Sequence, residues 1–171
     1  MLERAQKVKL LLLDVDGVMT DGRIIYDNYN DEIKNFNVND GLGIVLLKRA
    51  GLKCAIVTAQ SSPAVKRRAK ALGIDRIYQG YHFKIKALEK IKNDFRVNEE
   101  DICYIGDDIV DIPILKRAGF AVCVTNAMED VKKSCHYVTE QAGGYGAVRE
   151  VCEILLKAQN KWDYVTRSYF L

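Results

Sequence analysis

The run Val8-Lys9-Leu10-Leu11-Leu12-Leu13-Asp14-Val15-Asp16 constrains this chain more than any other stretch. Four consecutive leucines read as a strand buried on both faces, which is how the middle of a parallel sheet is built. Two aspartates close that strand, where water is scarce. Carboxylates in such a place need a cation, a proton or a set of donors. The carboxyl ends of central parallel strands are also where open α/β sheets keep their chemistry. The first sixteen residues therefore suggest a metal site with a nucleophile in it.

Strand-like runs alternate with helical segments along the rest of the chain. Strands are expected at 8–15, 54–59, 76–79, 102–106, 121–124 and 136–139. Helices are expected near 41–50, 61–72, 83–94, 108–118, 127–134 and 145–158. Ser62, Pro63 and Gly73 punctuate the second of these as cap, first residue and stop. The alternation predicts an α/β fold, a Rossmann-like doubly wound parallel sheet with helices on both faces. Residues 22–40 break the pattern: two β-like arms flank Asp27-Asn28-Tyr29-Asn30-Asp31, which predicts a projecting β-hairpin. A lone hairpin is marginally stable, so Ile24, Ile25, Tyr26, Ile33 and Phe36 want cover from their own domain or from another subunit. No linker or repeat divides the 171 residues, and a single domain over 1–171 is expected, with a C-terminal tail from about 160.

Composition excludes several classes. Twenty-six basic residues against 23 acidic ones leave a net charge of +3 with no basic block, which does not argue for nucleic acid. The N-terminal apolar run is too short to span a membrane, and the aspartates stand where a signal-peptide cleavage site would fall. Five cysteines without zinc spacing read as reduced thiols of a cytoplasmic protein. There is no Cys-x5-Arg and no Gly-x4-Gly-Lys-Ser/Thr, and two histidines are few for a phosphohistidine mechanism.

Four pieces fall at the ends of four successive strands: Asp14-Val15-Asp16-Gly17, Thr58, Lys84, and Gly106-Asp107-Asp108 followed by Asp111. In a doubly wound sheet these ends converge on one crevice. Several carboxylates there would repel one another without a cation, and an all-oxygen ligand set selects a hard ion such as Mg²⁺. Lys84 and Thr58 beside that ion would cradle a phosphoryl group. Asp14 is then a candidate nucleophile, and Asp16 a candidate acid/base.

Taken in order, these pieces resemble the haloacid dehalogenase-like phosphatases, whose signature is Asp-x-Asp-x-Thr/Val, then Ser/Thr, then Lys, then an acidic Gly-Asp-Asp-x-x-Asp element. The resemblance implies that Asp14 is the nucleophile and Asp16 the acid/base. It also implies Mg²⁺ held by Asp14, Asp16 and Asp107, with Asp108 and Asp111 behind them. Neither residues 23–39 nor residues 59–83 can hold an inserted cap domain of ordinary size, so a capless member is expected. Nearly the whole chain is similar to the capless 3-deoxy-D-manno-octulosonate (KDO) 8-phosphate phosphatases, in Asp14–Gly22, Phe36–Gly41, Tyr104–Pro113 and Gly143–Cys152. That likeness implies a phosphorylated sugar acid as substrate, and a homotetramer whose hairpins form a central barrel while a neighbouring subunit closes each site.

By the same likeness Asn37, Val38, Asn39, Asp40 and Gly41 border the substrate. Three positions depart from the family in losing basic residues: Gln60 where Thr-Gly-Arg is usual after the second strand, Asn39 in the Phe-Asn-Val-Arg-Asp-Gly stretch, and Val45. A sugar-acid carboxylate is best met by the arginine fork. Arg68 is kept, and reads either as that arginine or as a solvated helix residue. Other phosphosugars, a nonulosonate 9-phosphate among them, therefore stay open as substrates. So do two other classes: a receiver-type signalling domain and a non-catalytic tetramerisation module. Gly143-Gly144-Tyr145-Gly146 reads as a turn or a loop at the site entrance, the aromatic tail as packing on its own surface or a neighbour's, and His82 as an exposed loop residue.

Overall fold

The computed structural model describes residues 1–29 and 31–170. Its centre is the leucine run: β1 (Leu10–Leu13) is fully buried and pairs in parallel with β4 (Lys53–Val57) on one side and β6 (Ile102–Gly106) on the other. With β5 (Arg76–Tyr78), β7 (Phe120–Cys123) and β8 (Tyr137–Val138) the six-stranded order is β5-β4-β1-β6-β7-β8. The chain winds outward from β1 through β4 to β5, then returns to β6 and winds the other way. Right-handed crossovers therefore put the helices before the reversal on one face and those just after it on the other, with the reversal beside β1. Burying leucines this completely stabilises the fold by about 1.5–3 kcal/mol each, which is why this strand takes the centre.

On one face α2 (Val38–Arg49) packs on α7 (Ala147–Ala158), which also carries α1 (Leu2–Lys7). A Cβ on Gly43 would come within 3.0 Å of Arg149 Cα, so this small residue permits the close α2–α7 approach. α3 (Pro63–Leu72) lies beside α2, while α4 (Ile85–Phe95) and α5 (Ile112–Leu115) pack on each other. α6 is Glu129–Lys132 and α8 is Trp162–Thr166. Gln159 donates to the carbonyls of Ala5 and Val8, fastening the end of α7 to the N-terminus.

Several expectations need correction. The helix expected over 108–118 is a 3-10 turn, Ile109–Asp111, followed by four-residue α5. Short α1 and α8 were not anticipated, because six and five residues show too little periodicity. Ser62 precedes α3 without a capping hydrogen bond, whereas Gly73 stops it in the left-handed conformation. The hairpin forms from β2 (Ile25–Tyr26) and β3 (Glu32–Ile33), antiparallel, with Ile25 opposite Ile33. Asn30 in its expected turn, and Leu171 at the end of the tail, lie outside the described residues. All five thiols are free. None of the described helices is long and apolar enough to cross a membrane.

The tail packs on its own surface. Val165 joins Leu46 and Leu156 in a small apolar cluster, Trp162 lies under Arg149 and Lys157, and Arg49 donates to the Tyr169 hydroxyl at 2.8 Å.

Candidate active site

A cleft of about 270 Å³ opens at the carboxyl ends of β1, β4 and β6, lined by Asp14, Asp16, Thr58, Gln60, Lys84 and Asp107 among others. Larger cavities lie elsewhere: the largest is beside β5 against Lys66, Lys70 and Asp75, and another lies against Lys9, Lys53 and Asp101. Size alone does not mark the site; convergent titratable groups do.

Asp14 follows β1, and its amide continues the ladder to Ile105 O at 3.1 Å. After it the chain turns sharply. The amides of Val18, Met19 and Thr20 all fold back on Val15 O, and the buried Thr20 hydroxyl accepts from Gly17 and Gly22. Gly17 has φ +84°, and a Cβ there would stand 2.0 Å from Asp107 Oδ2. Glycine is thus required both by the backbone and by the neighbouring carboxylate.

Lys84 enters from the loop before α4, and its side chain is 2 % exposed. It lies 2.7 Å from Asp14 Oδ2 and 2.6 Å from Asp111 Oδ1. Asp111 is wholly buried yet satisfied: Lys84 and the Tyr104 hydroxyl donate to one oxygen, and the amides of Asp107 and Asp108 to the other. Asp108 caps the short 3-10 turn through Ile109 N at 2.7 Å. Thr58 closes β4, its amide on Tyr78 O and its hydroxyl accepting from Gln60 N.

Oxygens of Asp14, Asp107 and Asp111 all lie within 4.8 Å of one another. Burial, reinforced by Asp111, pushes the Asp14 carboxyl up to about 8, although Lys84 opposes the shift. Burial and Asp111 likewise push Asp107 up to about 7. Burial works against the charge of Lys84, yet the two carboxylates beside it raise its pKa above the ordinary lysine value. Carboxyls so perturbed lack positive charge, and with no His or Cys lining the cleft the donor set fits a hard divalent cation. Asp16 lines the cleft with its carboxylate on Lys34 at 2.5 Å, outside the cluster of Asp14, Asp107 and Asp111, and within that cluster Asp111 is taken up by Lys84, Tyr104 and two amides.

The residues expected to border substrate divide. Gln60 is exposed in the cleft. Asn37, Asn39, Asp40, Gly41 and Arg68 do not line it. Asn37 caps α2, accepting from Asn39 N at 2.7 Å, and donates to Gly144 O at 3.0 Å. Asp40 is buried and turned toward the start of α7, accepting from Arg149 N at 2.8 Å. Arg68 is neither solvated nor in the cleft: it donates to Asn37 O and lies over Phe36. Gly143-Gly144 seats on the catalytic turn, Gly144 N donating to Val18 O at 3.0 Å. His82 is exposed in its loop. Lys34 was missed, since nothing in its local sequence reveals that the hairpin brings it to Asp16.

Residues 76–151 match the model of the haloacid dehalogenase-like hydrolases. The KDO 8-phosphate phosphatase of Yersinia pestis is 41% identical over 165 residues, 96% of this chain and 88% of that protein. Among solved structures, the KDO 8-phosphate phosphatase of Moraxella catarrhalis, in complex with magnesium, phosphate and KDO, superposes with a TM-score of 0.96 at 43% identity, covering 98% of this chain and 97% of that one. A cobalt-bound form of the corresponding phosphatase of Haemophilus influenzae gives 0.91 at 36% identity, covering 98% of both chains. Similar to these proteins in sequence and fold over nearly its whole length, the chain belongs to the KDO 8-phosphate phosphatase family of the haloacid dehalogenase-like hydrolases.

Proposed function

We propose that this chain is a Mg²⁺-dependent phosphomonoesterase that hydrolyses KDO 8-phosphate to KDO and phosphate. The observation that carries the reading is Lys84, buried between Asp14 and Asp111 beside Asp107, at the mouth of a cleft that also holds Thr58 and Asp16. Asp14 attacks phosphorus, so the Asp14 Oδ–P bond forms as the bond from phosphorus to the sugar oxygen breaks. Asp16 gives its proton to that departing oxygen. Lys84 and the Thr58 hydroxyl hold the phosphoryl oxygens as charge moves onto them. Water then attacks the aspartyl-phosphate, Asp16 takes the water's proton, and Asp14 leaves as a carboxylate. Asp14 and Asp107 would hold Mg²⁺, which when bound neutralises phosphoryl charge. Asp111 keeps Lys84 in place, and Asp108 shapes the turn that presents Asp107.

The sugar-acid substrate is supported by the names of the relatives and by the ligands of the Moraxella protein. Gln60 is the cleft residue at which a different phosphosugar, such as a nonulosonate 9-phosphate, would be chosen. Exposed Ile24, Tyr26 and Ile33 on the hairpin support a homotetramer. The five free thiols suit the cytoplasm. The test is phosphate release from KDO 8-phosphate with Mg²⁺, in a panel of phosphosugars. Selective release, absent in Asp14→Asn, is expected; no release from any member would refute the reading. Gln60→Arg is expected to sharpen selectivity for sugar-acid phosphates.

A further inference from the structure

Lys34 belongs to none of the four strand-end motifs. It lies one residue past β3, and its side chain is 3 % exposed. Its ammonium donates to Asp16 Oδ1 at 2.5 Å and to Glu32 Oε1 at 2.9 Å. One carboxylate is on the catalytic turn and the other on the hairpin, so the lysine joins the two. The lysine side chain is enclosed while both carboxylates are part-exposed, so the bridge holds the lysine in one place between them.

Asp16 is more than a third exposed toward the cleft, and Lys34 is its one side-chain hydrogen-bond partner among the described residues. An aspartate at a cleft wall otherwise has several staggered orientations open to it. Lys34 itself does not line the cleft. It therefore reaches the chemistry only through Asp16. The hairpin that carries it has two-residue strands and exposed apolar side chains, so its own placement depends on what covers it.

We infer that Lys34 is a positioning residue: it sets the orientation of the Asp16 carboxylate and makes that orientation depend on the hairpin. This rests on the reading of Asp16 as acid/base of phosphoryl transfer. Displacing a catalytic group by about 1 Å costs on the order of 100-fold. Lys34→Met is accordingly expected to lower kcat about 10- to 100-fold with KM little changed, and Lys34→Arg to restore part of the loss.

The deciding experiment is a double-mutant cycle with Asp16→Asn, read on KDO 8-phosphate and on an aryl phosphate whose leaving group needs little protonation. If Lys34 works through Asp16, Lys34→Met costs nothing further in the Asp16→Asn protein. The single variant also loses less on the aryl phosphate than on the sugar phosphate. A loss of equal size in both backgrounds, or a wild-type kcat in Lys34→Met, overturns the inference. Should Lys34→Met not fold, Lys34→Gln enters the same cycle with the same two outcomes. Wild-type turnover in Asp14→Asn and Asp16→Asn would instead refute the phosphatase reading itself.

Discussion

Asp14 and Asp107 are acids whose surroundings hold protons on them until a cation arrives. Their folded-state pKa values, about 8 and about 7, lie above the ordinary 3.8. Between about 4 and 8 the folded protein thus binds more protons than the unfolded chain, and the metal-free fold loses stability as pH rises through that window. Melting in chelator is expected to give a lower Tm at pH 8 than at pH 5. Added Mg²⁺ should raise Tm more at pH 8, because it replaces protons that are already leaving. A Tm that does not vary with pH in chelator would contradict this. Asp14→Asn should lower kcat at least about a thousandfold, some 4 kcal/mol of barrier, while stabilising the metal-free protein at pH 8, since the buried charge is gone. Steady-state rates and melts of that one variant check both. Asp14, Asp16, Thr58, Lys84 and Asp107 could be picked out from sequence because each follows a strand, and strand ends share an address. Lys34 and Tyr104 could not, since their partners are set by tertiary placement alone.

Among the elements, α7 is fastened at both ends by residues far away in sequence. Asp40, on α2, takes the place of a capping side chain at the start of α7, and burial raises its pKa although the amides of α7 oppose the shift. Asp40→Ala should cost about 1–2 kcal/mol, as loss of a helix cap does, and a denaturation midpoint will read it. Just before α7, a Cβ on Gly143 would fall 1.7 Å from Gly17 O. Gly143→Ala should therefore displace the catalytic turn and cut kcat more than it lowers Tm, measured side by side. The Phe36–Gly41 stretch was expected at the substrate. It leads into α2, and Asp40 faces inward, where α7 needs an acceptor. Periodicity located α2 and α7 to within a few residues, but which residue caps which helix is a property of their packing.

At the scale of the molecule, the hairpin stands out with Ile24 64 % and Tyr26 69 % exposed. Ile24→Lys with Ile33→Lys is expected to reduce the solution mass by light scattering and to lower kcat, as Asp16 loses a firmly placed hairpin. An unchanged mass would refute a hairpin-mediated assembly. Alternation of strands and helices made the parallel sheet legible, whereas the order of its strands was not, because pairing choices among apolar runs leave no local mark. That order has a consequence for how the chain is made. β1 emerges from the ribosome first, yet it is central, and the amide of Asp14 must wait for Ile105 O. Gly143 and Gly144, which brace the catalytic turn, come later still. Such long-range parallel pairing is slow to form. The catalytic turn therefore lacks its brace in any nascent chain that ends before Gly143.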